Sequence, residues 1–279
     1  MSQQTENMLP HLGFRKLLPC KPLVDYIECY WFVNARTAFG YNEFLHPDGG
    51  MGVVFNYGDP LSFNGSVNIG ESFLNGAYTR STCLGLTGAI NAIGVRFKPA
   101  GAHAFFLMPL NELKNGNILC ADMGARGISS LFEKLAMASN DISKKKVIDE
   151  TMLAMFDADR CASDVVKQSI AITAKYKGIC PVTKIAEHLG VNQRKLERMF
   201  NRQLGLSPSE FSKSVRMEHA RTYLKQRDTS YSDIVYNLGF YDQAHFVRQF
   251  KSVVGITPSK YRSRALATSA LSTVVGEYH

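Results

Sequence analysis

Two stretches of the chain repeat the same order of apolar and polar positions about fifty residues apart. The repeated segments are IAEHLG (185–190) and IVYNLG (234–239), RMF (198–200) and RQF (248–250), and GLSPSEF (205–211) and GITPSKY (255–261). The offset is 49 for the first pair and 50 for the other two. Similarity at a fixed period indicates one supersecondary unit used twice, and two copies are too few for a solenoid.

The first copy has the pattern of a short helix, a glycine turn and a longer helix. Ile185 and Leu189 belong to the apolar stripe of the short helix, which Gly190 ends. A second helix is predicted from Asn192, a residue typical of the N-cap, to Gly205. Two helices in this order predict a helix-turn-helix.

The second copy repeats this arrangement in the segment GFYDQAHFVRQFK. Ser230 and Asp233 have the spacing of a capping box at the start of its short helix, and Gly239 turns the chain. Phe246 and Phe250 lie four residues apart, so they face one side of the longer helix. The other side carries polar residues.

A long helix is predicted between the two copies, over residues 207–226. Ser207 suits the N-cap, Pro208 the first helical position, and Glu210 completes a capping box. About twenty residues at roughly 1.5 Å each give a rod of about 30 Å. One turn of DNA is about 34 Å, so such a rod can hold two helices in successive major grooves.

The distribution of charge along the chain indicates which class of partner the repeated segment binds. Residues 181–264 contain 15 Lys and Arg against 7 Asp and Glu, which accounts for the formal net charge of +8 of the 279-residue chain. A field concentrated in one segment favours a polyanion, with nucleic acid first and an anionic membrane second. Arginine and glutamine on a rigid helix can read guanine and adenine edges. The alternative is that these polar faces are only the solvated sides of amphipathic helices.

Residues 181–264 closely resemble the DNA-binding domain of the AraC/XylS family of bacterial transcription regulators. The resemblance is carried by IAEHLGVNQRKLERMF, GLSPSEF and IVYNLGFYDQAHFVRQFKSVVGITPSKYR. It implies seven helices, with two recognition helices and a linker helix between them. The base-contacting residues that it implies are Asn192, Gln193, Arg194, Glu197 and Arg198 in the first recognition helix, and Gln243, Ala244, Val247 and Arg248 in the second. Ala244 and Val247 can touch only thymine methyl groups. The phosphate anchors predicted are Lys251, Lys260, Arg262 and Arg216.

The first 160 residues have a different character. Short aromatic and β-branched runs, separated by Asn, Gly, Asp and Pro, predict several antiparallel strands up to about residue 101, followed by helices. HPDG before a strand and GVRFKPAG before a helical stretch resemble the cupin-related or β-rich sensory domains that precede AraC-type domains. The predicted fold class is therefore α+β. A β-rich, cupin-like or β-barrel-type domain with helices (1–160) precedes an all-α domain with two helix-turn-helix units (161–265) and a flexible tail (266–279).

Three features of this region have two interpretations each. His46 and Asp48 have H-x-D spacing, but they lack the further ligands of a cupin metal site, so a turn shaped by Asp48 is favoured over a metal. A set of side chains is assigned to the core or to a ligand pocket: Trp31, Phe55, Tyr57, Phe63, Arg96 and Phe97. The helices at 126–157 form a dimer surface or pack on the strands.

The predicted function is that of a DNA-binding transcription regulator, and the family favours an activator that contacts RNA polymerase. The N-terminal domain is expected to sense a small-molecule effector, to form a homodimer, or both. No catalytic residues, cofactor, metal or membrane partner are expected, and the location predicted is the cytoplasm. The alternative is a cupin-type enzyme with a basic helical appendage. Six cysteines without close pairs indicate idle thiols rather than a zinc site.

Overall fold

The structure is a computed structural model that describes residues 12–68, 72–123 and 126–276. Its strands are β1 (Arg15–Leu17), β2 (Ile27–Leu45), β3 (Gly52–Asn56), β4 (Leu61–Phe63), β5 (Ser66–Asn68), β6 (Ser72–Asn75), β7 (Thr82–Phe97) and β8 (Asn117–Leu119). Its α-helices are α1 (Arg126–Met137), α2 (Asp141–Met155), α3 (Asp164–Lys175), α4 (Val182–His188), α5 (Gln193–Leu204), α6 (Pro208–Lys225), α7 (Tyr231–Asn237), α8 (Gln243–Val254) and α9 (Pro258–Gly276). The predicted fold class, a β-rich domain followed by an all-α domain, is confirmed.

The described strands form one antiparallel sheet. Its order is β1-β2-β7-β3-β6-β8, and β4 pairs with both β5 and β7. The long strands β2 and β7 run side by side from the pair Ile27–Phe97 to the pair Leu45–Thr82, with an irregularity between Thr37 and Tyr41. Strand β1 pairs with β2, and strands β3 and β4 pair with β7, so these two long strands connect most of the sheet.

Both faces of the sheet carry buried side chains. Adjacent residues on a strand point to opposite faces, so one strand contributes to two cores. Tyr30 and Phe32 belong to the main core, while Val33 and the partly buried Trp31 pack on the other face. Gly94 makes room for Trp31, since a Cβ at this position would lie 2.0 Å from the indole ring. Of the side chains with two interpretations, Phe55 and Phe97 are fully buried and are core residues.

Helices α1 and α2 pack against the sheet. Leu131 and Leu135 are fully buried in the main core. The Tyr57 hydroxyl donates to the carbonyl oxygen of Phe132 at 2.6 Å, and the two rings stack at 4.4 Å. For the apolar face of α1, the sequence left two alternatives open, a dimer surface and packing on the strands. The structure shows that this face packs on the strands.

The C-terminal part of the chain has the seven helices that the resemblance implies, α3 to α9, in the part that the structure describes. Residues 266–276, which the sequence assigns to a flexible tail, continue α9 as helix. The last three residues of that predicted tail lie outside the described residues. The boundary at residues 160 and 161 stays a prediction.

The two helix-turn-helix units, the first head (182–204) and the second head (231–254), are attached to the molecule in different ways. Leu196, Phe200 and Leu204 of the first head belong to the same core as the sheet. The second head has a core of its own, which includes the C-terminal half of α6. The division falls inside α6, between Val215 in the first core and Met217 in the second.

Candidate nucleic-acid interface

The two heads are built from the same local signals. Each has a short helix of seven residues and a longer one of twelve. The side chains of Asn192 and Asp242 accept from the backbone N–H three residues later, at 2.8 and 2.6 Å, and so cap α5 and α8. Gly205 and Gly255 end these helices in the left-handed region, at φ of 88° and 87°.

The turn of the second head contains one more residue than the turn of the first. Four residues separate α4 from α5, and five separate α7 from α8. The repeat offset changes from 49 to 50 at this place, which marks Tyr241 as the extra residue. Its side chain is 91% exposed and directly precedes the N-cap of α8. The second head therefore has an aromatic side chain in solvent at the N-terminus of its recognition helix, where the first head has none.

The first recognition helix, α5, exposes the cationic residues that the sequence assigned to it. Arg194 and Arg198 are exposed and, in the described chain, their guanidinium groups have no hydrogen bond or ion pair. The Gln193 amide donates to the Glu197 carboxylate at 2.8 Å, so these two side chains hold each other along the helix. Asn192 uses its side-chain oxygen as the N-cap. Lys195, which the sequence analysis did not single out, is exposed beside them.

The second recognition helix, α8, presents fewer polar groups. Gln243, Ala244 and Arg248 are exposed, and Lys251 is exposed one turn further along. Val247 is only half-exposed because it packs against the core of the second head. Consequently Gln243 and Arg248 are the hydrogen-bonding groups that this helix offers among its four predicted base-contacting residues.

His245 and Gln249 are occupied within α8. The backbone N–H of Tyr241 donates to His245 Nδ1 at 3.4 Å, which assigns the ring proton to Nε2. The Gln249 amide lies 2.8 Å from Nε2, where its oxygen can accept from the ring N–H after an amide flip. Both side chains therefore brace the turn of the second head, and no spacing rule in the sequence indicates this.

Two of the predicted phosphate anchors donate to backbone carbonyl groups of the all-α domain. Arg216 donates to the carbonyl oxygen of Gly178 at 2.8 Å and lies 5.5 Å from the Phe240 ring. Arg262 donates to the carbonyl oxygen of Thr229 at 2.6 Å. Each guanidinium is thus engaged by a backbone carbonyl group, and contact of either residue with a phosphate stays a prediction. Lys251 and Lys260 are exposed.

A family of helix-turn-helix domains matches residues 185–264. This segment is an AraC-type helix-turn-helix domain. The match coincides with the two heads, the linker helix α6 and the start of α9, so the resemblance inferred for residues 181–264 is confirmed. A second family, a domain of unknown function (DUF6597), matches residues 15–119 and covers the sheet.

Curated bacterial relatives match the AraC-type domain. The HTH-type transcriptional regulator ArgR of Pseudomonas aeruginosa is 33% identical over 90 residues, which cover 32% of this chain and 27% of that protein. The HTH-type transcriptional activator RhaR of Yersinia pseudotuberculosis is 33% identical over 81 residues, covering 29% and 28%. The chain spans less than a third of the length of these relatives. A solved transcriptional regulator with an AraC-type domain from Chromobacterium violaceum is 27% identical, covers 36% of this chain and 91% of its own, and has a TM-score of 0.34.

The HPDGG turn connects the sheet to the AraC-type domain. Asp48 accepts from the backbone N–H of Gly50 at 2.9 Å and pairs with the Arg96 guanidinium. Burial acts to raise the pKa of Asp48, but the neighbouring Arg96 outweighs it and the pKa lies below its ordinary value. Gly49 has φ of 78°, and a Cβ there would lie 2.6 Å from the Phe211 ring of α6. These contacts give Asp48 the turn-shaping role that was favoured over a metal site.

Among residues 12–68, 72–123 and 126–276, no group of three or more His, Cys, Asp or Glu is placed to hold a metal ion. No helix in these ranges is both long enough and apolar enough to cross a membrane.

Proposed function

We propose that the protein is a transcription regulator that binds specific DNA sequences through the two heads of its AraC-type domain. The observation that carries this proposal is the duplicated geometry. Each head buries the apolar side of a capped twelve-residue helix and exposes that helix's N-terminal half. The N-terminal half of the second helix is the part of a helix-turn-helix that enters the major groove. The names of the curated relatives favour a regulator over the cupin-type enzyme.

The linker helix gives the two heads a spacing compatible with DNA. Helix α6 has 18 residues, which at roughly 1.5 Å each make a rod of about 27 Å. Successive major-groove segments on one face of a duplex lie about 34 Å apart. Two heads at the ends of this rod can therefore contact adjacent grooves without a second copy of the chain.

The two heads make unequal contributions to sequence reading. In the first head, Arg194 and Arg198 are free to donate to guanine edges, and Gln193 with Glu197 can present a paired donor and acceptor. In the second head, Arg248 and Gln243 are the hydrogen-bonding readers, while Ala244 offers only an apolar contact to a thymine methyl group. We assign most of the base discrimination to the first head.

Backbone anchoring is assigned to the exposed lysines of the second head. Lys251 lies near the C-terminus of α8 and Lys260 in the first turn of α9. Neither lysine pairs with a carboxylate in the described part of the chain. Lysine neutralises phosphate charge without reading the base, so these residues increase affinity for every sequence.

The proposal gives the N-terminal domain a regulatory role. It senses a small-molecule effector, forms a homodimer, or does both, and the regulator acts in the cytoplasm as an activator that contacts RNA polymerase. Support comes from the relatives, one of which is named a transcriptional activator, and from the extensive core that this domain shares with the first head.

The test is a selection of genomic DNA fragments with the purified full-length chain, followed by footprinting of the fragments that are retained. The expected footprint protects two groove segments on one face of the duplex, about 10 base pairs apart. Repeating the selection with cell-extract metabolites tests for an effector. Binding with a steep salt dependence but no preference among sequences would contradict the proposal.

A further inference from the structure

The last turn of the second recognition helix is capped by a residue of the N-terminal domain. The carbonyl oxygen of Val253 accepts from the backbone N–H of Ser81 at 2.7 Å and from the Ser81 hydroxyl at 3.2 Å. The last four carbonyl groups of a helix have no partner within it. Ser81, which immediately precedes β7, supplies a partner for one of them across the domain boundary.

His46 holds Ser81 in position. Its Nδ1 lies 2.7 Å from the Ser81 hydroxyl oxygen. Because that hydroxyl donates to Val253, its oxygen accepts from the Nδ1–H of a neutral His46. The ring of His46 also meets the Tyr261 ring of α9 edge to face, at 5.8 Å between centroids. We call the contact of His46 and Ser81 with Val253 the latch.

The latch differs in kind from the attachment of the first head. The first head is joined to the sheet by a continuous apolar core, and Gly205 at the end of α5 approaches the backbone of the 3₁₀ helix Leu110–Leu113. Buried apolar contacts resist separation, whereas polar contacts can be exchanged for water at little net free energy.

Without the latch, the second head is held mainly through α6. The C-terminal half of α6 forms part of the head's core, and Arg216 connects Phe240 in its turn to Gly178. Arg264 of α9 also lies over the Phe44 ring at 5.8 Å. The Arg216 contact joins the turn of the second head, whereas the Arg264–Phe44 contact lies beside the latch, because Phe44 is two residues from His46 and pairs with Cys83. The latch and this neighbouring contact therefore form a second point of fixation, which restrains rotation of the recognition helix about α6.

We infer that the latch fixes the second recognition helix relative to the first, and that His46 and Ser81 thereby determine which spacing between the two DNA segments the protein accepts. This inference rests on the proposed function. One added base pair moves the next groove segment by about 3.4 Å and rotates it by about 35°. A head fixed at two points cannot follow that change, whereas a head joined only through α6 can follow it by flexing. His46 and Ser81 are positioning residues that act through α8.

The experiment measures DNA affinity as a function of spacing. Fragments selected by the wild type are rebuilt with one or two base pairs removed from or inserted between the two protected segments. The wild type is titrated against the series together with the His46→Ala/Ser81→Ala double variant, which removes both side chains of the latch and leaves the Ser81 backbone N–H without the groups that hold it against Val253. The wild type is expected to lose about tenfold in affinity per displaced base pair, an amount comparable to a mismatch. The double variant is expected to keep its affinity for the original spacing within about threefold and to lose less than threefold per displaced base pair.

Matched variants separate positioning from a general loss of structure. Thr79→Ala removes a hydroxyl from the same loop, but that hydroxyl bonds Asn115 at 3.0 Å within the N-terminal domain, so the spacing penalty should stay at the wild-type value. Ser81→Thr keeps the donor and should restore the penalty. A general loss of folding lowers affinity at every spacing equally and leaves the penalty unchanged.

A measurement without DNA keeps the inference testable if the double variant binds poorly. Amide hydrogen exchange should accelerate in α8 of the latch variants and stay unchanged in α5. A double variant with the wild-type spacing penalty, or with equal exchange in both helices, overturns the latch. A wild type that shows no sequence preference overturns the proposed function instead, and the two failures are thus distinguishable.

Discussion

The two heads have nearly the same local structure but different surroundings. Both consist of a seven-residue and a twelve-residue helix, with a polar N-cap and a left-handed glycine at the end. The apolar side chains of the first head belong to the same core as those of the sheet. The second head has a core of its own and contacts the N-terminal domain through polar groups. The same local unit can thus pack into a core shared with a sheet in one copy and around a core of its own in the other.

The largest expected effect comes from emptying the equivalent position in each core. Phe200 and Phe250 are related by the repeat and are 1% and 0% exposed. Each change to Ala should cost about 3–5 kcal/mol of unfolding free energy. Phe200→Ala should also accelerate amide exchange in the sheet, whereas Phe250→Ala should do so only in the second head. Equal exchange of the sheet in both variants would show that the two cores are not separate.

Base reading should be affected next. Arg194→Ala and Arg248→Ala should each relax discrimination at about one base pair by roughly 1–3 kcal/mol, measured by binding to a set of single-base variants of the selected site. Lys251→Ala is the control, since it should weaken all duplexes about equally and lower the salt slope by about one. If Arg248→Ala behaves like Lys251→Ala, the second head anchors the DNA and does not read it.

A smaller change, in the free energy of unfolding, is expected with pH through His46 at the domain boundary. Burial first, and then the positive charges of Arg221 and Lys225 on α6, lower the pKa of His46 from 6.5 to about 3. Tyr261 and Ser81 are its other neighbours. At a pH between these two pKa values, His46 binds a proton in the unfolded chain but not in the folded chain. The free energy of unfolding therefore falls as the pH falls below about 6.5. At one pH unit below that value, the loss of unfolding free energy is at most about 1.4 kcal/mol.

The measurement compares the unfolding free energy of the wild type and His46→Gln at about pH 7.5 and 5.5. Glutamine stays neutral throughout, so acidification should destabilise this variant less than the wild type by about 1 kcal/mol. The same loss in both proteins would mean that His46 takes up its proton without leaving its site.

The smallest effect is expected at the N-caps. Asn192→Ala and Asp242→Ala should each cost about 1 kcal/mol, because each leaves a helical N–H without its side-chain acceptor. For Asp242→Ala the loss should appear as faster amide exchange in α8, and for Asn192→Ala as a lower midpoint of global unfolding. A local effect in both heads would show that the first head opens independently of the sheet.

The local architecture of the DNA-binding segment follows from short-range signals in the sequence. The capping box of Ser207 and Glu210, the caps at Asn192 and Ser230, and the terminal glycines all occupy the positions that their spacing predicts. Each of these interactions joins residues three to five positions apart, so the sequence order alone nearly specifies the geometry. The exposure of Arg194, for the same reason, follows from helical periodicity.

Contacts between distant residues depended on the tertiary structure. No local pattern distinguishes Arg216, which connects two turns, from an exposed phosphate anchor, or indicates that His46 reaches Ser81. The repeat likewise cannot show that the first head joins the core of the sheet and the second does not. The sequence by itself determined the helices, their caps and the charge of the DNA-binding segment, because those depend on neighbours along the chain. Only the packing of the whole molecule decided which polar side chains remain available to a partner.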